Sequence, residues 1–229
     1  MRSLIDHVPA FMLPRRRWVG VLLAAVLTHG LVQPARAASL QDSIVQLQGD
    51  WEQIRYKTPP AERERRFEAL AAQARKVSEA NPGRSEPLVW EGIIVSSWAG
   101  EKGGLGALGL VKQAKALYEE AIRIDGDVLD GSAYNSLGVL YYKVPGWPVG
   151  FGDKAKAREL LGKALTLNPK GIDPNFFYGE YLLESKQPEQ AMIYLERALQ
   201  APPRPGRQIA DEGRREEART LLEQARKGR

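Results

Sequence analysis

The chain has 229 residues, 43% hydrophobic and 27% charged, with a formal net charge of +5, no cysteine and two histidines. Disulfides, thiol nucleophiles and cysteine-based zinc sites are therefore excluded. Both histidines, His7 and His29, fall within the first 37 residues, so the rest of the chain cannot build a Ser-His-Asp arrangement either.

At the N-terminus, Arg15, Arg16 and Arg17 precede an apolar run from Trp18 to Val32, and QPARAAS follows. A basic region, an apolar region and the A-x-A pattern of Ala35 and Ala37 predict a signal peptide over 1–37, cut after Ala37. The apolar run is shorter than the roughly 20 residues that span a bilayer, which argues against a retained anchor. Export with no cysteine after the cut predicts a periplasmic protein without a lipid anchor. The leader holds five basic residues and one acidic residue, so the remainder carries 28 basic and 27 acidic, net +1. A near-neutral mature chain gives no reason to expect a nucleic-acid partner.

The mature part reads as helix throughout. Residues 38–83 predict an N-terminal helical pair. The first, from Leu40 to about Tyr56, has an apolar stripe at Ile44, Leu47, Trp51 and Ile54. The second, from about Ala61 to Ala80, has one at Phe67, Leu70, Ala74 and Val77, and Asn81-Pro82-Gly83 ends it. Residues 84–206 predict three further pairs, with first helices near Glu86–Trp98, Gly131–Tyr142 and Asp173–Glu184. Their second helices lie near Leu110–Ile124, Asp153–Leu167 and Pro188–Gln200. Residues 207–229 predict a charged terminal helix that caps the array.

Three of the second helices share one spacing. Ala157, Leu161, Ala164 and Pro169 are separated by steps of four, three and five. Ala191, Leu195, Ala198 and Pro203 repeat those steps 34 residues later, and Ala114, Tyr118, Ala121 and Gly126 show them earlier. Small residues let two helices approach, the Leu or Tyr fills the gap, and Pro stops the helix. These positions resemble the tetratricopeptide repeat family, a 34-residue helix–turn–helix unit. The resemblance implies an all-α solenoid of about nine helices whose first helices line a concave face.

Two units are too long for that period. Gly179 precedes Ala191 by twelve residues, Gly138 precedes Ala157 by nineteen and Gly92 precedes Ala114 by twenty-two. The turns between paired helices therefore predict insertions of seven and ten residues on one edge of the array. The longer one contains Gly104, Gly106 and Gly109 in a G-x-G-x-x-G pattern. That pattern needs a preceding strand to bind a dinucleotide, and a helix precedes it here, so no cofactor is expected. The shorter one, VPGWPVGFGD from Val144 to Asp153, restricts φ at Pro145 and Pro148, and Asp153 is placed to cap the next helix. Its Trp147 and Phe151 either plug the gap between repeats or wall a pocket.

Carboxylates such as Glu180 and Glu184 share a helix face, but compensating Lys and Arg make a solvated surface the simpler reading. With no His, Cys or phosphate loop the mature chain is expected to be a non-enzyme. The expected binding residues are Trp98, Tyr134, Tyr141, Phe177 and Tyr181 from the first helices, with Trp147 and Phe151 from the shorter insertion.

The segment from Gly131 to Pro169, with Pro145, Gly146, Gly152, Asp153, Lys154 and Ala157, resembles the T-component proteins associated with TRAP transporters. That resemblance covers Ala114 to Ala201. It implies a periplasmic adaptor whose partner is the transporter's solute-receptor protein, together with a small apolar ligand. Two alternatives differ in class: a carrier with an apolar ligand under the Trp147 loop, and an envelope-assembly factor.

Overall fold

A computed structural model of the chain describes residues 39–228, which lie in one compact unit. The leader expected over 1–37 lies outside the described residues. Nine α-helices follow one another among the described residues: α1 (Leu40–Lys57), α2 (Pro60–Ala80), α3 (Ser85–Lys102), α4 (Ala107–Asp125), α5 (Val128–Lys143), α6 (Lys154–Leu167), α7 (Ile172–Glu184), α8 (Pro188–Gln200) and α9 (Gln208–Lys227). The all-α solenoid read from the spacing is the observed fold. Among the described residues no helix is long and apolar enough to cross a membrane.

Local chemistry sets the helix ends. Ser39 accepts from the Asp42 amide at 3.1 Å, and its own amide donates to the Asp42 carboxylate at 3.2 Å, a capping box at the start of α1. Asp153 accepts from the amides of Ala155 and Lys156 at 2.9 and 3.1 Å, which caps α6. Pro60 and Pro188 stand in the first turns of α2 and α8, where the missing N–H costs nothing.

The strongest helix pairings are α3 with α4, α5 with α6 and α7 with α8. Each is built around one interlock. A Cβ on Gly92 would lie 2.5 Å from Tyr118, one on Gly138 2.8 Å from Leu161, and one on Gly179 2.9 Å from Leu195. The glycine of the first helix is thus the socket for the Tyr or Leu of the second. Ala114, Ala157 and Ala191 are fully buried one turn before those side chains. Burying a Leu in such a socket contributes about 1.5–3 kcal/mol, and the recurrence of the interlock explains the recurrence of the spacing.

The two insertions are accommodated differently. The ten extra residues of the longer one mostly lengthen helices: α3 runs on to Lys102 and α4 starts at Ala107, leaving Gly103–Gly106 as the connection. The loop expected there is therefore largely helix, because SSWAG and ALGLV are apolar enough to extend both helices against their neighbours. Val144–Asp153, in contrast, is a ten-residue connection without helix.

The terminal helix does more than cap. α9 packs on α8 and α7, and also on α1. The Ala210 amide donates to Glu52 at 3.1 Å, Arg55 pairs with Glu217 at 2.7 Å, and the Tyr56 ring occupies the space over Gly213. The two ends of the described array meet, and the concave side becomes a walled interior.

Candidate functional site

The interior holds a cavity of about 370 Å³. Trp51, Arg55 and Tyr56 of α1 line it, with Trp90, Ile93, Ser96 and Ser97 of α3 and Asn135, Val139 and Leu140 of α5. Asp173 and Phe177 come from α7, and Arg214 from α9. Arg204 and Arg207 come from the proline-rich connection between α8 and α9. One part of the wall is apolar and aromatic, another is charged.

The charged part is mostly paired. Asp173 accepts from Arg204 Nη1 at 2.7 Å and from Arg214 Nε at 2.8 Å. Arg204 also donates to Asp211 at 2.7 Å, and Arg214 to Glu217 at 2.6 Å. Burial alone would raise the Asp173 carboxyl, but the two guanidinium groups hold it well below the usual carboxylate range. Arg214 lies 4.5 Å from the ring centres of both Phe176 and Phe177.

Arg207 is bound differently. Its guanidinium lies 5.8 Å from the Trp51 ring and 5.1 Å from the Trp90 ring. Its ionic contact is Nε to Glu52 at 3.5 Å, and that carboxylate already accepts from Ala210. Burial, with the nearby charge of Arg204, pushes the Arg207 guanidinium below its ordinary range. Trp51 donates to Ser97 at 2.8 Å, whereas among the described residues the buried Trp90 Nε1 and Asn135 Oδ1 have no hydrogen-bond partner.

The seven residues expected to bind do not converge. Phe177 lines the cavity. Tyr181 is buried and donates to the Lys154 carbonyl at 3.1 Å, so it ties α7 to α6. Tyr141 is buried and meets Phe151 edge-to-face at 5.5 Å. Trp98 is partly buried under Lys102, and Tyr134 packs against Gly126. Trp147 is 90% exposed. Phe151 therefore roots the Val144–Asp153 loop, and Trp147 stands in solvent.

That loop is held by its own backbone. The Gly152 amide donates to the Pro145 carbonyl at 2.9 Å, the Gly150 amide to Gly146 at 3.1 Å and the Asp153 amide to Tyr141 at 2.8 Å. A Cβ on Gly152 would lie 2.0 Å from the Val144 carbonyl oxygen. Positive φ is absent from Gly146, Gly150 and Gly152, so Gly152 serves close approach here and not a left-handed turn.

The paired carboxylates of α7 are occupied. Tyr142 donates to Glu180, and Lys143 bridges Glu180 and Glu184. The cavity residues Arg204 and Arg207 had a signal of their own in the sequence, two arginines set among prolines and glycine in PPRPGR. That composition belongs to a short connection, and only the closed fold turns it inward.

Residues 172–205 match the tetratricopeptide repeat family model. The match covers α7, α8 and the start of the connection to α9, the unit whose length departs least from 34 residues. No curated protein matches the chain. Among solved structures the chain is similar to a thermophilic TPR protein of Thermus thermophilus, at 15% identity with a TM-score of 0.43. That similarity covers 80% of this chain and 99% of the other. The family match shows one 34-residue tetratricopeptide repeat within the chain, formed by α7 and α8.

Proposed function

We propose that the chain is a non-catalytic periplasmic adaptor that binds a protein partner through the Val144–Asp153 loop. Trp147 carries the reading. It is 90% exposed on a loop fixed by three backbone hydrogen bonds and by the Phe151–Tyr141 contact. A rigid, solvent-facing Trp is an interface anchor that loses little entropy on binding. The periplasmic assignment is supported by the leader pattern of 1–37. The T-component resemblance of the same loop supports a solute-receptor protein as the partner.

The test is affinity capture from a periplasmic extract with the chain and its Trp147→Ala variant, scored for a solute-receptor protein. Recovery by the chain and loss by the variant are the expected results. Equal recovery by both would remove the loop from the interface. A purified mature protein that does not begin at Ala38 would count against the leader.

A further inference from the structure

We infer that the cavity is a binding site for a small organic carboxylate with an apolar body, its carboxylate seated on Arg207 between Trp51 and Trp90. Trp147 does not line this cavity, so the inference goes beyond the adaptor reading.

The arginines of the wall are matched by carboxylates in it and behind it, Glu52, Glu101, Asp173, Asp211 and Glu217, and differ in how well each is paired. Arg55, Arg204, Arg207 and Arg214 face Glu101 and Asp173 among the lining residues. Asp173 is taken by Arg204 and Arg214, and Glu101 lies 3.6 Å from Arg55 and 4.0 Å from Arg63. Arg204 and Arg214 each make two or more charged hydrogen bonds. Among the described residues, Arg207 makes no side-chain hydrogen bond, and its one ionic contact, Nε to Glu52 at 3.5 Å, leaves its Nη groups without an acceptor. A guanidinium has five N–H donors in a planar fork that matches a carboxylate. Leaving such a group buried and short of acceptors is costly, and the two indole faces hold it in place without supplying an acceptor.

A carboxylate accepts where Arg207 Nη1 and Nη2 have donors to give. The remaining wall is apolar at Ile93, Val139, Leu140 and Phe177, which selects an acid with a hydrocarbon or aromatic body over a fully hydrated inorganic anion. The cavity volume falls within the range of small-molecule sites, about 300–1,000 Å³.

The test uses 3-phenylpropionate and octanoate, each compared with its neutral amide, by titration calorimetry on the purified chain. Trp fluorescence gives a second readout, because Trp51 and Trp90 flank the proposed seat. At least one acid should bind saturably, and its amide about tenfold more weakly or worse, as loss of a charged hydrogen bond requires. Arg207→Gln should lose about tenfold or more in affinity for that acid, and Arg207→Lys should recover only part of it. Because Arg207 also neighbours Glu52, Val139→Trp provides an independent variant: it fills the cavity, keeps Arg207, and should abolish binding while the helical content is retained. No saturable binding of either acid, equal binding of acid and amide, or unchanged binding in a folded Arg207→Gln or Val139→Trp variant would overturn the assignment.

Discussion

Glu52 in α1 accepts a hydrogen bond at 3.1 Å from the backbone amide of Ala210 in α9, a residue 158 positions away. The same carboxylate oxygen lies 3.5 Å from Arg207. One buried side chain therefore joins the first and last described helices and faces the cation beside the cavity. Glu52→Gln should cost about 1–2 kcal/mol, the scale of a lost charge-assisted hydrogen bond. The loss should concentrate at the closure. Amide exchange in the first turn of α9 should accelerate more than in α5 or α6, and uniform acceleration would show that closure is not a separate unit.

The glycine sockets yield a paired prediction. A Cβ at Gly138 would meet Leu161 at 2.8 Å and its backbone nitrogen at 3.2 Å, with no room to shift. Gly138→Ala should destabilise by about 1–3 kcal/mol, as overpacking does. Gly162 lies inside α6 with nothing within 4 Å of its Cβ position. Gly162→Ala should stabilise by about 0.5–1 kcal/mol through helix propensity and chain entropy. Urea midpoints at constant m-value check both; equal and small effects would dissolve the interlock account.

How much of this could be read beforehand depends on the range of the interaction. Leu161 and Leu195, which fill the Gly138 and Gly179 sockets, each sit four residues after one buried Ala and three before the next, so periodicity in the second helices exposes the interlocks and the solenoid with them. The Glu52–Ala210 closure depends on the curvature accumulated from α1 to α9, and no local pattern encodes it. Arg204 and Arg207 become cavity residues through that closure alone. Trp147 and Phe151 sit four residues apart in a segment with no helical or strand period, so their opposite fates, solvent and core, follow from the loop's backbone hydrogen bonds. The SSWAGEKGGLGALGLV stretch looks like a loop by its glycines, yet its apolar residues extend α3 and α4.

Asp173 makes stability depend on pH in a defined direction. Its carboxyl is held below the usual range by Arg204 and Arg214, against the opposing effect of burial. The folded state therefore binds this proton less readily than the unfolded chain. The stabilisation is present above the unfolded carboxylate value of about 3.9 and is lost as pH falls through the folded one. At neutral pH, Asp173→Asn should cost about 2 kcal/mol. The gap between variant and parent in urea midpoints should narrow between about pH 4 and pH 2. A gap that stays constant over that range would mean the carboxylate charge contributes nothing.

Within the Val144–Asp153 loop, the two aromatics should separate stability from binding. Trp147 is 90% exposed, so Trp147→Ala should leave unfolding within about 0.5 kcal/mol of the parent. Phe151 packs edge-to-face on buried Tyr141 and lies under Lys115 at 5.8 Å. Phe151→Ala should therefore cost about 1–2 kcal/mol, the ring contact plus the apolar area it covers. If the loop is the docking element, Trp147→Ala should abolish partner capture at unchanged stability. Phe151→Ala should weaken capture through loss of loop order, visible as faster amide exchange at Gly150, Gly152 and Asp153, whose amides hold the loop. A Trp147→Ala variant that captured as well as the parent, with Phe151→Ala impaired, would move the binding surface from the loop tip to the Tyr141 face beneath it.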